Sequence, residues 1–507
     1  MRFFPRHAKG PDVDSEPAAV VFSHAAGWWT VALTGLGILI GSLHAVLGGW
    51  SLSFDACQIL DEAGRIAGER QPSWRGLFFF ETFRLGPLVN YLAALPLGLT
   101  RRWSAVYALA NLFAVLSLPL YFQTLRRYRS WRTAVLLTLL YLISPAFLTR
   151  WSAQLNECFL TPFCPAAAFC LLEGIKRRGY RAAFYLLVAV MGQLHITSFF
   201  LLPGAWLVWW RFGGRRFSIA VHLPAMALTV LSTAVFWIGN GAFSGFEASR
   251  FLGFGRVNPL VILLNLLSCL ANLAVILPAV VIVSAWVGFS RRRLTECRPD
   301  QTAQASLWVI GFYFMILAIA GTTKKGIGGN YFFPLLPFIL LLLGQGFDWI
   351  DRDFSRPAKI FLAAVTVSIS LAVGVGGIFY NLQAFSQNHS IRAVAEQEEY
   401  YSRLAGLLKR QQVPLEQVEE RLLYREGGET STAVVPDECR AAWSRINGLA
   451  WQPALTKEKR AIVWMVAAKD RPRLLAKKSF DAAACPSFLE TAAASFYFCP
   501  PAAGDHQ

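Results

Sequence analysis

The sequence predicts an α-helical multi-pass membrane protein with a small C-terminal extracytoplasmic α/β domain. Three observations lead there. Apolar runs near the roughly 20 residues that a bilayer-spanning helix needs recur from Trp28 to Tyr380. Only 16% of the 507 residues are charged and 55% are hydrophobic, whereas soluble domains carry about a quarter charged residues. Beyond Tyr380 the composition turns polar. A transmembrane β-barrel would show segments of about 10 residues with alternating polarity, and the chain has none.

The elements follow in order. Residues 1–27 are too long and too mixed for the n-region of a cleaved signal peptide, and read as a cytoplasmic N-terminal segment. The first span, about Trp28 to Gly48, is then a retained helix. Five basic stretches recur downstream: RRYRSWR (126–132), KRRGYR (176–181), RFGGRR (211–216), RRRLTECR (291–298) and DRDFSRPAK (351–359). Cytoplasmic loops collect Lys and Arg, so all five should share one side with the N-terminus. A crossing at 86–100, GPLVNYLAALPLGLT, would put every one of them outside. That segment is also short for a span. It reads as an interfacial or re-entrant helix within an outer loop running over 50–102.

The remaining spans are expected near 103–124, 133–149, 158–174, 182–195, 196–210, 217–238, 258–290, 305–321, 331–347 and 359–380, about 11 with the first. The pair over 182–210 reads as a tight hairpin with short arms turning near His195. The long run 258–290 crosses once, broken or kinked by Pro259 and Pro278. Together 28–380 form one transmembrane domain. Odd parity then puts 381–507 outside the cytoplasm, with a helix over 391–409 and a strand at AIVWMVAA, 461–468.

The net charge of +17 invites a nucleic-acid reading. Orientation by short basic loops accounts for it better, and no nucleic-acid motif is present. Nine cysteines show no CxxC pair and no metal-like spacing with histidine. Cys158, Cys164, Cys170 and Cys269 lie in spans and read as small packing residues. Among Cys439, Cys485 and Cys499, two can form a disulfide if their region lies outside. The sequence leaves open which two.

By this topology the outer face gathers Asp55, Asp61, Glu62, Glu69, Glu81, Arg84, Arg150, Glu157, His195, Arg250, Arg256, Lys324, Lys325 and Tyr331. Four stretches of that face stand in a telling order. Phe54, Asp55 and Ala56 are followed at set distances by Ala63 and Gly68. RLGPLVNYLAA runs from Arg84 to Ala94. SPAFLTRWSAQLNE, Ser144 to Glu157, ends in an acid. NYFFPLLP, Asn330 to Pro337, opens a later span. In order and topology, over roughly residues 28–350, the chain resembles the GT-C superfamily of polyprenyl-phosphate-dependent glycosyltransferases, in particular bacterial relatives of the protein O-mannosyltransferases and the lipid A aminoarabinose transferase. Two positions depart from that pattern: Ala56 stands where the family often has Glu, and Asn330 stands where it has His.

The resemblance implies sugar transfer from an undecaprenyl- or dolichyl-phosphate donor, in a bacterial inner membrane or its equivalent, onto a lipid, glycan or protein acceptor outside the cytoplasm. Such a reaction needs a carboxylate to take the acceptor's proton, cations on the departing phosphate and an apolar groove for the lipid tail. Asp55 is the expected base and Glu157 the second catalytic acid. Arg84, Arg150, Lys324 and Lys325 are expected phosphate holders, and Tyr331 and His195 belong to the same substrate-binding set. The missing acid at position 56 leaves any divalent-metal requirement open.

Each assignment has a plainer counterpart. Asp55 suits the N-cap of a helix beginning near Ala56. Asp61 and Glu62 suit a solvated helix face. Glu157 can pair with Arg150, the two lysines can snorkel at the interface, and His195, His44 and His222 can be hydrogen-bonded structural residues. A lipid-linked-sugar flippase or a secondary transporter is the rival function. The spans hold no central Asp or Glu and no repeated halves, which counts against ion-coupled transport but not against a flippase. A third class, a scaffold presenting the C-terminal domain, gives the outer acids and cations no task.

Overall fold

The computed structural model describes residues 24–46, 54–73, 86–142, 155–214, 218–239, 299–320, 329–353 and 394–411, most of 355–368, and shorter pieces between 76 and 84 and between 418 and 499. The expected span at 258–290, much of that at 359–380, and Arg150, Arg250, Arg256, Lys324 and Lys325 lie outside the described residues.

The described part of 24–353 is helical. In order come α1 (His24–Val46), α2 (Phe54–Gly68), the short paired strands β1 (Phe78–Phe79) and β2 (Phe83–Arg84), α3 (Leu88–Thr100), α4 (Trp103–Tyr128), α5 (Trp131–Leu142), α6 (Leu155–Leu160), α7 (Phe163–Glu173) and α8 (Arg178–Leu194). A 3-10 turn, Ile196–Phe200, leads into α9 (Leu201–Phe212), followed by α10 (Ile219–Gly239) and α11 (Gln301–Ala320). A second 3-10 turn, Gly329–Leu335, leads into α12 (Leu336–Asp353). Among the described residues, three helical stretches are long and apolar enough to cross a membrane: Trp103–Tyr128, Leu155–Glu173 and Tyr331–Arg352. The last two each contain a break. Pro162, which has no N–H to give, separates α6 from α7. α3 has 13 residues, about 20 Å of helix, and packs against α2 and α4.

α4 shows how the bundle treats its two sides. Val106, Tyr107, Ala110, Ala114, Leu118, Tyr121, Phe122 and Leu125 are buried at helical spacing. Leu112, Leu116 and Leu120, four residues apart on another face, are exposed. α1 and α10 expose Leu39, Leu43, Val221 and Leu228 in the same way. Such apolar stripes fit a lipid surround rather than water.

Three arginines tie helices together at the far end of α4 and beside it. Arg129 is buried; its Nε donates to the Leu341 carbonyl at 2.9 Å and its Nη1 to Asp300 at 2.5 Å. Arg127 Nε and the Tyr128 hydroxyl donate to buried Glu173 at 3.0 and 3.2 Å. Arg181 donates to the Gly174 carbonyl, lies 5.5 Å above the Trp209 ring and meets His222 Nε2 at 3.1 Å. The arginines of the expected orientation loops therefore also hold helices to one another, and His222 is satisfied internally.

The hairpin expected over 182–210 is present. α8 ends at His195, whose backbone is extended at φ −154° and ψ 119°. A β-carbon on Gly192 would sit 2.2 Å from Cζ of Phe199 in the 3-10 turn, so the turn as folded calls for glycine there. Gly192→Ala is expected to cost about 1–3 kcal/mol, as other overpacking substitutions do, and to displace His195. A lowered Tm in detergent, together with lost activity, checks this.

Beyond the bundle lie α13 (Val394–Gln411) and the strands β3 (Val418–Glu426), β4 (Glu429–Val434), β5 (Ala461–Ala467), β6 (Ser487–Glu490) and β7 (Ala494–Cys499). They form one five-stranded sheet in the order β4-β3-β5-β7-β6. β3 runs parallel to β5 and the other pairs are antiparallel. Cys485 and Cys499 form a disulfide, which resolves the pairing left open among the C-terminal cysteines. α13 lies between sheet and bundle. Tyr400 stacks on Phe496 at 4.9 Å between ring centroids, and Tyr401 meets Trp103 of α4 edge-on at 5.7 Å. Beside that contact, Glu398 accepts both the backbone N–H and the hydroxyl of Ser104 at 3.2 Å.

Candidate active site

α2 is amphipathic. Ala56, Cys57, Ile59, Leu60 and Ala63 are buried, while Asp55, Gln58, Asp61 and Glu62 lie on partly open faces. The helix begins at Phe54, which puts Asp55 inside its first turn rather than at the N-cap. This corrects the capping alternative. An acid in the first turn still gains from the positive end of the helix dipole. Burial pushes the Asp55 carboxyl up from its ordinary value. Asp61 and Glu62 are engaged elsewhere. Arg65 pairs with them at 3.6 and 4.0 Å, and Ser73 donates to Glu62 at 2.6 Å. Cys57 is disulfide-bonded.

Glu157, on the first turn of α6, is 1% exposed. Its neighbour Asn156 donates to the Leu194 carbonyl at 3.4 Å, tying α6 to the end of α8. There His195, also buried, holds the Thr197 hydroxyl at 2.7 Å from Nδ1. The His195 ring stands edge-on to Tyr331 at 5.6 Å between centroids. Tyr331, on the second 3-10 turn, feels the charges of both Glu157 and Asp55. Its carbonyl accepts the Tyr313 hydroxyl of α11.

His195 and Tyr331 are thus in ring contact where the His195 break meets the second 3-10 turn, and Glu157 and Asp55 act on Tyr331 through their charges. Arg84 lies in β2, and only its backbone is described. Tyr313, Thr197 and Asn156 were not singled out from sequence. A tyrosine inside an apolar span, whose hydroxyl needs a partner, was the available signal for the first. Among the described residues no group of three His, Cys, Asp or Glu stands ready for a metal ion.

The arrangement sets a desolvated carboxylate and a second, buried acid within electrostatic reach of one phenol. A base whose affinity for protons is raised toward the working pH accepts one more effectively.

No family model and no curated protein matches the chain. Solved structures do. ArnT from Cupriavidus metallidurans bound to undecaprenyl phosphate superposes with a TM-score of 0.51 at 12% identity, covering 94% of this chain and 98% of that one. The same protein in its apo state gives 0.50 at 13% identity with the same coverage. At such identity the likeness is one of fold. Across nearly its whole length the chain shares the fold of ArnT.

Proposed function

We propose that this protein is an integral-membrane glycosyltransferase that moves a sugar from a polyprenyl-phosphate donor to a lipid, glycan or protein acceptor on the extracytoplasmic face, with Asp55 as general base. The reading is supported by the charges of Asp55 and Glu157 acting on Tyr331, whose ring touches His195, in a fold shared with a protein crystallised with undecaprenyl phosphate. In the reaction the acceptor hydroxyl gives its proton to the Asp55 carboxylate as its oxygen attacks the anomeric carbon. The bond from that carbon to the phosphate oxygen breaks, and polyprenyl phosphate leaves with the electron pair. Arg84, Arg150, Lys324 and Lys325 supply the positive charge that stabilises it. Glu157 fixes the polar side of the cleft, and Tyr331 and His195 line it.

The disulfides at Cys57 and between Cys485 and Cys499 support the outward orientation, because such bonds persist in oxidising compartments. They sit on the candidate base's own helix and on the C-terminal sheet, which the charge pattern of the loops assigns to the same side. The reading divides the chain into a cytoplasmic segment 1–27, a catalytic membrane domain 28–380 and an extracytoplasmic domain 381–507.

Purified protein given a radiolabelled undecaprenyl-phosphate sugar and a membrane extract is expected to move label into the acceptor fraction. Donor that changes leaflet in vesicles while its sugar stays on the phosphate would instead identify a flippase.

A further inference from the structure

At the end of the bundle away from Asp55, α5, α12 and the helical stretch Lys359–Ser368 enclose a cavity of about 720 Å³. Tyr331 opens the turn that leads into α12, and Asp351 lies near the other end of that helix. The 18 residues of α12 span about 27 Å, so the cavity is separate from the candidate active site.

Its lining divides by chemistry. Arg132, Arg356 and Lys359 face a single carboxylate, Asp351. Asp351 pairs with Lys359 at 3.2 Å and with Arg132 at 3.9 Å. Arg356 is exposed and has no ion-pair partner among the described residues. The cluster therefore carries an excess of positive charge at its mouth. The rest of the wall is apolar, built from Leu136, Phe347, Ile350 and Ile360. Phe347 and Ile350 are buried, while Ile360 is exposed. Exposed Trp131 lies beside the mouth, with the Arg132 guanidinium 5.6 Å from its ring. Tryptophan at this level marks a membrane–water interface.

We propose that this cavity binds an anionic phospholipid, its phosphate held by Arg132, Arg356 and Lys359 and its acyl chains lying along Leu136 and Ile360. Basic pockets between membrane helices take anionic headgroups in this way. A soluble phosphate would satisfy the cations but leave the apolar wall against water. The inference requires that the bundle lie in a bilayer; it does not require that the protein transfer sugar.

The test uses the full-length protein in detergent, with retained lipid read by native mass spectrometry after exposure to phosphatidylglycerol or phosphatidylcholine. Phosphatidylglycerol is expected to be retained about tenfold more strongly, given the contribution of each basic residue near an anionic surface. Arg356→Glu, at an exposed position, is expected to remove that preference without lowering Tm. Arg132→Gln should weaken it in the same direction. Millimolar inorganic phosphate should not displace the lipid. Equal retention of the two lipids, an unchanged preference in Arg356→Glu, or displacement by phosphate alone would each overturn the proposal, the last by identifying a free-anion site. Because the readout is lipid retention, its failure is distinguishable from failure of the transferase reading.

Discussion

Asp55→Asn is expected to lower sugar transfer by about 10³-fold, within the range typical of a lost general base, while leaving the folded protein at least as stable. The two halves of this result have one cause. Burial raises the pKa of the Asp55 carboxyl in the folded state. The folded protein therefore holds this proton more tightly than the unfolded chain does. Stability is lost as pH rises from the unfolded pKa through the folded one, and at neutral pH the ionised carboxylate opposes folding. Asparagine keeps the shape and removes the charge. Tm in detergent at neutral pH should stay level or rise, and the variant's Tm should depend less on pH in the acidic range. Wild-type transfer should increase with pH as Asp55 loses its proton, and that limb should vanish in the variant. Full turnover by Asp55→Asn would remove the proposed mechanism. A fall in both activity and Tm would make Asp55 a structural residue.

The largest stability loss is expected from Asp300→Ala. Asp300 serves two elements at once. Its Oδ2 accepts Arg129 Nη1 at 2.5 Å, and its Oδ1 accepts the Ala303 N–H at 2.7 Å, capping α11. The Arg129 side chain is only 2% exposed, whereas that of Asp300 is 46% exposed. The substitution thus strands a buried guanidinium whose other partners among the described residues are the Leu341 and Tyr128 carbonyls. Breaking a buried ion pair is strongly destabilising and losing an N-cap costs about 1 kcal/mol; with one partner half open to water, the sum is on the order of 2–4 kcal/mol. Thermal unfolding in detergent measures it. Asp300→Asn, which keeps a capping oxygen and loses the charge, should fall between wild type and Ala. The ion pair sits at the end of α4 remote from Trp103, so transfer per folded molecule should change little.

Much of the architecture was legible because bilayer thickness and loop charge act on long stretches of chain. The shortness of 86–100 argued for a helix that does not cross, and α3 there has 13 residues; the basic residues flanking 182–210 argued for a turn at His195. Asp55, Glu157, His195 and Tyr331 were grouped by assignment to one face, and of these His195 and Tyr331 are in ring contact. Contacts that depend on which side of a helix points inward were hidden. Arg129 read as an orientation charge, and nothing in its loop showed a partner 171 residues away. Cys57 has no cysteine near it in sequence that would name a partner. The capping alternative for Asp55 arose because helix starts are uncertain by a residue or two from sequence, and the helix begins at Phe54. Tyr313 lay among apolar neighbours, and its acceptor is a backbone carbonyl that carries no sequence signal.

The Glu398 carboxylate that closes the start of α4 has a bearing on biogenesis. A ribosome completes the longest described apolar helix well before it reaches the residue that caps it. That helix end therefore waits for Glu398 until the last quarter of the chain has been made and folded. Maturation then ends with the tail docking onto α4, and a chain shortened before α13 would lack this cap.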